Sequence, residues 1–271
     1  MAAELPAIRP RRDIMGVDDS CKLMDVQKTR LANVAIVAAL LTTRCDCTPL
    51  VVGRSGNHIY IGTNSVDSDG NSRCELHFGQ TAVVMWATQA SSMTLKYKDG
   101  RRKSVDFEAA LNNLISDVNE PIDVLKEDLV QDTEKRIRGL LDSYEKTDLD
   151  RVDLASFLAN EYVIVGRENN GFLGVRAFTL YVADPLSVTF EVSDITSKLH
   201  NGEVIDYSTG EVNISKAHGP KGVRAALYAR LQSHDKVAQR LGNKAFSPPY
   251  LVMDVTHSGR SYLSDPGPCR F

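Results

Sequence analysis

Cys45 and Cys47 are separated by one residue, and Cys74 and His77 by two, on either side of a stretch that reads as a β-hairpin. A hairpin brings its ends together, so these four side chains have the means to converge. Thiolates and an imidazole in that number suit a tetrahedral zinc ion. The competing reading is reduced cysteines packed as small apolar side chains, their usual state inside cells.

A second set of residues could hold anions. Lys98, Arg101, Arg102 and Lys103 crowd one short hairpin. A basic β-ribbon can grip phosphates, and the same charges also guard a sheet edge against aggregation. Further along, Lys221, Arg224, Arg230, Lys236 and Arg240 face one acidic neighbour, Asp235. This is the most basic segment. It suits nucleic acid, or pairing with the acidic stretch 106–160 within the chain or in a partner. Arg9, Arg11 and Arg12 make residues 1–16 a basic arm broken by Pro6 and Pro10. Asp254, His257 and Ser258 are the residue types of a hydrolase triad, but no Gly-x-Ser-x-Gly elbow accompanies them.

These residues need elements to position them. A helix is expected from Asp18–Ser20 to about Thr43. The apolar run Thr48–Gly53 and the alternating His58–Gly62 flank the turn Ser55-Gly56-Asn57 and form a hairpin. From Glu75 to Ala90, the apolar residues Leu76, Val83, Val84, Trp86 and Ala87 recur at helical spacing and predict a second helix. Asp99-Gly100 predicts a second hairpin, between strands at 92–98 and 101–105. Residues 106–160 read as acidic helices, with Pro121 suited to a first turn. An antiparallel meander follows from Tyr162 to Ile214, with turns at His200-Asn201-Gly202 and Ser208-Thr209-Gly210. Gly219-Pro220 ends it. A basic helix runs from Gly222 to Leu241, and Tyr250–Val255 is a last strand.

The order helix, hairpin, helix, strand resembles the opening of the cytidine-deaminase fold. Val52-Gly-Arg-Ser-Gly-Asn-His-Ile-Tyr-Ile-Gly-Thr-Asn64 is similar to the deaminase hairpin, and His77 sits where those enzymes carry a metal ligand. The resemblance implies a metal-activated water with Glu75 as proton shuttle. It spans about 60 residues. The sequence departs from the pattern at position 79, which is Gly where the catalytic Glu belongs, and it has no Pro-Cys-x-x-Cys after Tyr97.

The whole chain sets the frame. Its 271 residues are 42% hydrophobic and 25% charged with net charge −3, the balance of a globular protein and not of a generally nucleic-acid-coating one. Five cysteines point to a reducing, cytoplasmic setting. The apolar run 31–43 is too short to span a bilayer, so no membrane segment is expected. No P-loop, dinucleotide glycine motif or His-Glu-x-x-His is present. The expected fold is α+β. A flexible arm (1–16) precedes an N-terminal helix–hairpin–helix–hairpin part (17–105) and an acidic helical middle (106–160). A β-meander with the basic C-terminal helix (161–255) and a tail (256–271) complete a chain that could form one compact domain. The expected function is a non-enzymatic binding or assembly protein, a homo-oligomer or a protein-partner complex held through opposite-charge helices. A zinc-dependent deaminase-like hydrolase and a nucleic-acid binder are the alternatives.

Overall fold

The structure, a computed structural model, describes residues 49–64, 76–88, 92–96, 102–116, 119–142, 160–184, 187–207, 213–240 and 250–264. The described chain is mostly β, with thirteen strands and three helices. The strands are β1 (Val51–Ser55), β2 (His58–Thr63), β3 (Leu76–Phe78), β4 (Ala82–Thr88), β5 (Ser92–Lys96), β6 (Arg102–Asp106), β7 (Asn160–Arg167), β8 (Leu173–Asp184), β9 (Thr189–Asp194), β10 (Glu203–Asp206), β11 (Asn213–Lys216), β12 (Leu251–Thr256) and β13 (Gly259–Ser264). The helices are α1 (Phe107–Ser116), α2 (Ile122–Asp142) and α3 (Gly219–Arg240).

Two antiparallel sheets form the centre. One has six strands in the order β11-β10-β1-β2-β12-β13, the other five in the order β3-β4-β7-β8-β9, and β5 and β6 form a separate hairpin. Inward-facing residues of both sheets, among them Val52, Ile61, Met253, Val83, Met85, Val163 and Val175, make one buried core. The outer face of the five-stranded sheet carries a second core with α1 and α2. The outer face of the six-stranded sheet carries a third, with α3. The layers therefore run helices, sheet, sheet, helix.

This overturns the expected α+β order of helix, hairpin, helix, hairpin. Residues 76–88 are two strands, not a helix, so the deaminase-like helix that would present a metal ligand is not formed. The reason lies in burial on both sides. Val83 and Met85 enter the core between the sheets, while Val84 and Trp86 enter the core under the helices. A strand covered on both faces is apolar throughout and shows no alternation. The meander is also split: β7, β8 and β9 are consecutive neighbours, but β10 and β11 cross to the six-stranded sheet.

Helices α1, α2 and α3 lie close to three of the expected ones, while the helix expected from Asp18–Ser20 to Thr43 lies outside the described residues. Asp106 caps α1, its carboxylate accepting the Ala109 amide at 2.8 Å. Pro121 precedes α2, and its carbonyl accepts the amides of Val124 and Leu125. On α2, Leu125, Leu129, Thr133 and Ile137 recur every fourth residue and are buried on the sheet. The sheet meets them with an aromatic row. Trp86, Tyr162 and Phe178 are register partners on β4, β7 and β8, stacked with centroids 6.4 and 5.0 Å apart. The row's polar atoms are satisfied, Trp86 Nε1 donating to Asn160 at 3.0 Å and the Tyr162 hydroxyl pairing with Thr133 at 2.9 Å. No helix among the described residues is long and apolar enough to cross a membrane.

Candidate functional site

The face of the six-stranded sheet beneath α3 is written by the period-two rule. Val51, Gly53 and Ser55 on β1 pair with Gly62, Tyr60 and His58 on β2, and all of them point to α3. Gly53 and Gly62 let the helix come close. A Cβ on Gly53 would lie 2.6 Å from Val223 Cγ1, and one on Gly62 would lie 2.5 Å from Leu227 Cδ2. Val223, Leu227 and Leu231 fill the seam.

Polar groups gather where this seam ends. Toward the C-terminus of α3, His234 Nε2 is 2.7 Å from the buried Asp206 carboxylate, and Asp235 accepts the Tyr250 hydroxyl at 3.1 Å. Burial, and then Asp235, push the Tyr250 hydroxyl up to about 12. These groups satisfy one another and read as structure.

The N-terminal end of α3 is different. Here Ser55–His58, Asn201–Gly202 and Ala217–Pro220 wall a hollow of about 490 Å³. Backbone bonds lace the three loops. The Gly202 amide donates to Arg54 O at 2.8 Å, the Ala217 amide to Gly202 O at 2.7 Å, and the Gly56 amide to Asn201 Oδ1 at 2.7 Å. His58 stacks on Tyr60 with centroids 6.0 Å apart, and its Nδ1 lies 2.9 and 3.0 Å from the two carboxylate oxygens of Asp254. Burial and then Asp254 raise the Tyr60 hydroxyl, with Arg224 opposing. None of the ten residues around the hollow is acidic.

The outer surfaces of the two helical layers differ in charge. On α3, Lys221 and Lys236 are exposed and Arg224 partly so, and none makes an ion pair with a described residue. Arg230 is turned back to Ser215 Oγ at 2.6 Å. Several acids of the other layer are already engaged. Asp123 on α2 holds Arg176 at 2.6 Å, Glu168 holds the same guanidinium at 2.9 Å, and Asp132 holds Arg136. Glu127, Asp128 and Glu134 make no ion pair with a described residue.

Of the residues singled out from sequence, Cys45, Cys47, Cys74, Glu75, Lys98 and Arg101 lie outside the described residues. His77 is buried on β3. Its Nδ1 lies 2.9 Å from Asn112 Oδ1 on α1, and its ring meets the edge of Trp86 at 5.7 Å. Arg102 and Lys103 lie on β6, away from α3, while Arg224, Arg230, Lys236 and Arg240 share α3. Asp254, His257 and Ser258 do not converge. His257 and Ser258 form the β12–β13 turn, whereas Asp254 faces His58. Among the described residues, α3 does not pair with the acidic helices α1 and α2, because the two sheets stand between them. The hollow escaped sequence reasoning. Its only signals were two Asn/Gly turns, each with a histidine beside it, and the Gly219-Pro220 break.

No protein-family model matches the chain, and no curated protein matches it. Among solved structures it is similar to Anbu (ancestral beta-subunit) from Yersinia bercovieri, at 14% identity and a TM-score of 0.43, over 82% of this chain and 89% of that one. Likeness at that level leaves the functional reading to the geometry above.

Proposed function

We propose that this is a binding and assembly protein that self-associates through its two helical layers, α3 of one copy against α2 of the next. The observation that supports the reading is unspent charge of opposite sign on opposite sides of the sandwich. Lys221, Arg224 and Lys236 on α3 have no ion-pair partner among the described residues, nor do Glu127, Asp128 and Glu134 on α2. Between the cations, Ala225 and Ala229 are exposed and short, so another element can approach the helix closely. The two faces are unlike, which makes the contact head-to-tail, closing into a ring or running on as a filament. Exposed ion pairs contribute only about 0.2–1 kcal/mol each, so several must act together and salt must weaken them.

Sedimentation velocity at low and high salt tests this. The wild-type chain should form a larger species at low salt that dissociates as salt rises. Lys221→Glu with Lys236→Glu should abolish it, and adding Glu127→Lys with Glu134→Lys to the same chain should restore it. A chain that remains monomeric at low salt, or a double reversal that is not rescued, would sink the reading.

A further inference from the structure

We infer that the hollow at the N-terminus of α3 binds the phosphate group of a small phosphorylated molecule. Four independent features of the site converge on that chemistry.

The first is an unused hydroxyl. Ser55 is only 7% exposed, its register turns it toward α3, it lines the hollow, and it makes no hydrogen bond with a described residue. Its hydroxyl opens onto the hollow and can donate to a ligand oxygen there. The second is the helix end. Helix α3 has 22 residues and no acid in its first turn, where a Lys221 ammonium stands instead. His218 and Gly219 supply no capping side chain of the Ser, Thr, Asp or Asn kind. The positive end of the helix dipole is thus left for an external anion.

The third feature is the set of side-chain donors. Asn201 Oδ1 already accepts the Gly56 amide, so its NH₂ group is left to donate. His58 Nδ1 lies 2.9 Å from the Asp254 carboxylate, which fixes the ring at the wall of the hollow. His218 adds a second imidazole to the wall. The fourth is the absence of acid among the lining residues, together with walls fixed by the backbone bonds between the loops.

The donors come from three loops on different sides. That arrangement matches the three terminal oxygens of a tetrahedral phosphate. A flat carboxylate is typically taken by an arginine fork, and no arginine is among the described residues that line the hollow. A volume of about 490 Å³ leaves room for a small organic group beyond the phosphate.

Isothermal titration of the full-length chain with inorganic phosphate and, separately, with glycerol 2-phosphate tests the inference, with sodium chloride at matched ionic strength as the blank. Saturable binding of either phosphate is expected. A tighter constant for the ester means that the rest of the molecule contacts the hollow, and equal constants mean that the phosphate alone is recognised. Ser55→Ala and His218→Ala should each weaken binding about tenfold to a hundredfold, the worth of one hydrogen bond to a charged group. Arg167→Ala, an exposed cation on the five-stranded sheet, should leave it unchanged. His218 is exposed, so its variant keeps the test decisive if Ser55→Ala lowers the melting temperature. No saturable binding, or binding that Arg167→Ala weakens as much as His218→Ala does, would overturn the inference.

Discussion

Helix α3 lies on a sheet face opened by Gly53 and Gly62, while α1 and α2 lie on an aromatic row of Trp86, Tyr162 and Phe178. Where glycine lines the face, backbone and helix side chains set the spacing directly. Groups beyond the seam, such as Ser55, His58 and His218, then keep a fixed relation to the helix end. Where large rings line the face, they fill the space themselves and their few polar atoms are tied off in pairs. The charges do not follow this division: Glu127, Asp128 and Glu134 of α2, like Lys221, Arg224 and Lys236 of α3, make no ion pair with a described residue. One face is sealed by rings, and the other is spaced by glycine.

The largest effect should come from breaking the aromatic row. Trp86→Ala removes a fully buried ring and leaves Asn160 without its indole donor, so stability should fall by about 3–5 kcal/mol in chemical denaturation. A loss below about 1 kcal/mol would mean that the row is not close-packed. Next is the glycine face. Gly53→Ala pushes a methyl to within 2.6 Å of Val223 Cγ1 and 3.1 Å of Val204 Cγ2. Valine in a helix has little rotamer freedom, so a cost of about 1–3 kcal/mol is expected, with weaker phosphate binding because the helix end is displaced. A gain in stability would instead show that α3 is free to shift.

The polar ties of the aromatic face give a smaller and sharper test. Thr133→Val leaves the buried Tyr162 hydroxyl without its partner and should cost about 1–3 kcal/mol, and adding Tyr162→Phe should recover most of it. An unrecovered loss would assign the effect to packing. The smallest effect belongs to Asp194. Lys126 and Thr196 hold its carboxyl below the ordinary value against the opposing effect of burial. Its contribution is therefore full above 3.8 and lost as the pH falls below that value, because the unfolded chain takes up the proton first. Asp194 is half exposed, so Asp194→Asn should cost under about 1 kcal/mol at neutral pH and nothing in acid, read from denaturation midpoints across pH.

Local rules made much of this legible. Ser55-Gly56-Asn57 announced the first hairpin, and the 3.6-residue period placed α2 and α3 within a few residues of their ends. What failed was the period at residues 76–88. Val83, Val84, Met85 and Trp86 are all buried, two toward each core, so the strand carried no alternation and its spacing could pass for a helix. Sheet membership was also invisible, because β9 and β10 are near in sequence yet belong to different sheets. The hollow was illegible for a related reason. Ser55, Asn201 and His218 are far apart in the chain, and each alone resembles an ordinary turn residue.

The strand orders also bear on how the chain is made. The five-stranded sheet draws only on residues 76–194, each strand pairing with one close in the chain apart from β4 and β7. The six-stranded sheet starts with β1 and β2, which leave the ribosome early, but their outer neighbours are β10 at Glu203–Asp206 and β12 at Leu251–Thr256. Through most of synthesis the first hairpin therefore has two open edges, and contacts over such separations form slowly. The strands of the five-stranded sheet all precede β10 to β13 in the chain, so that sheet can be complete while the six-stranded one still waits for its outer strands.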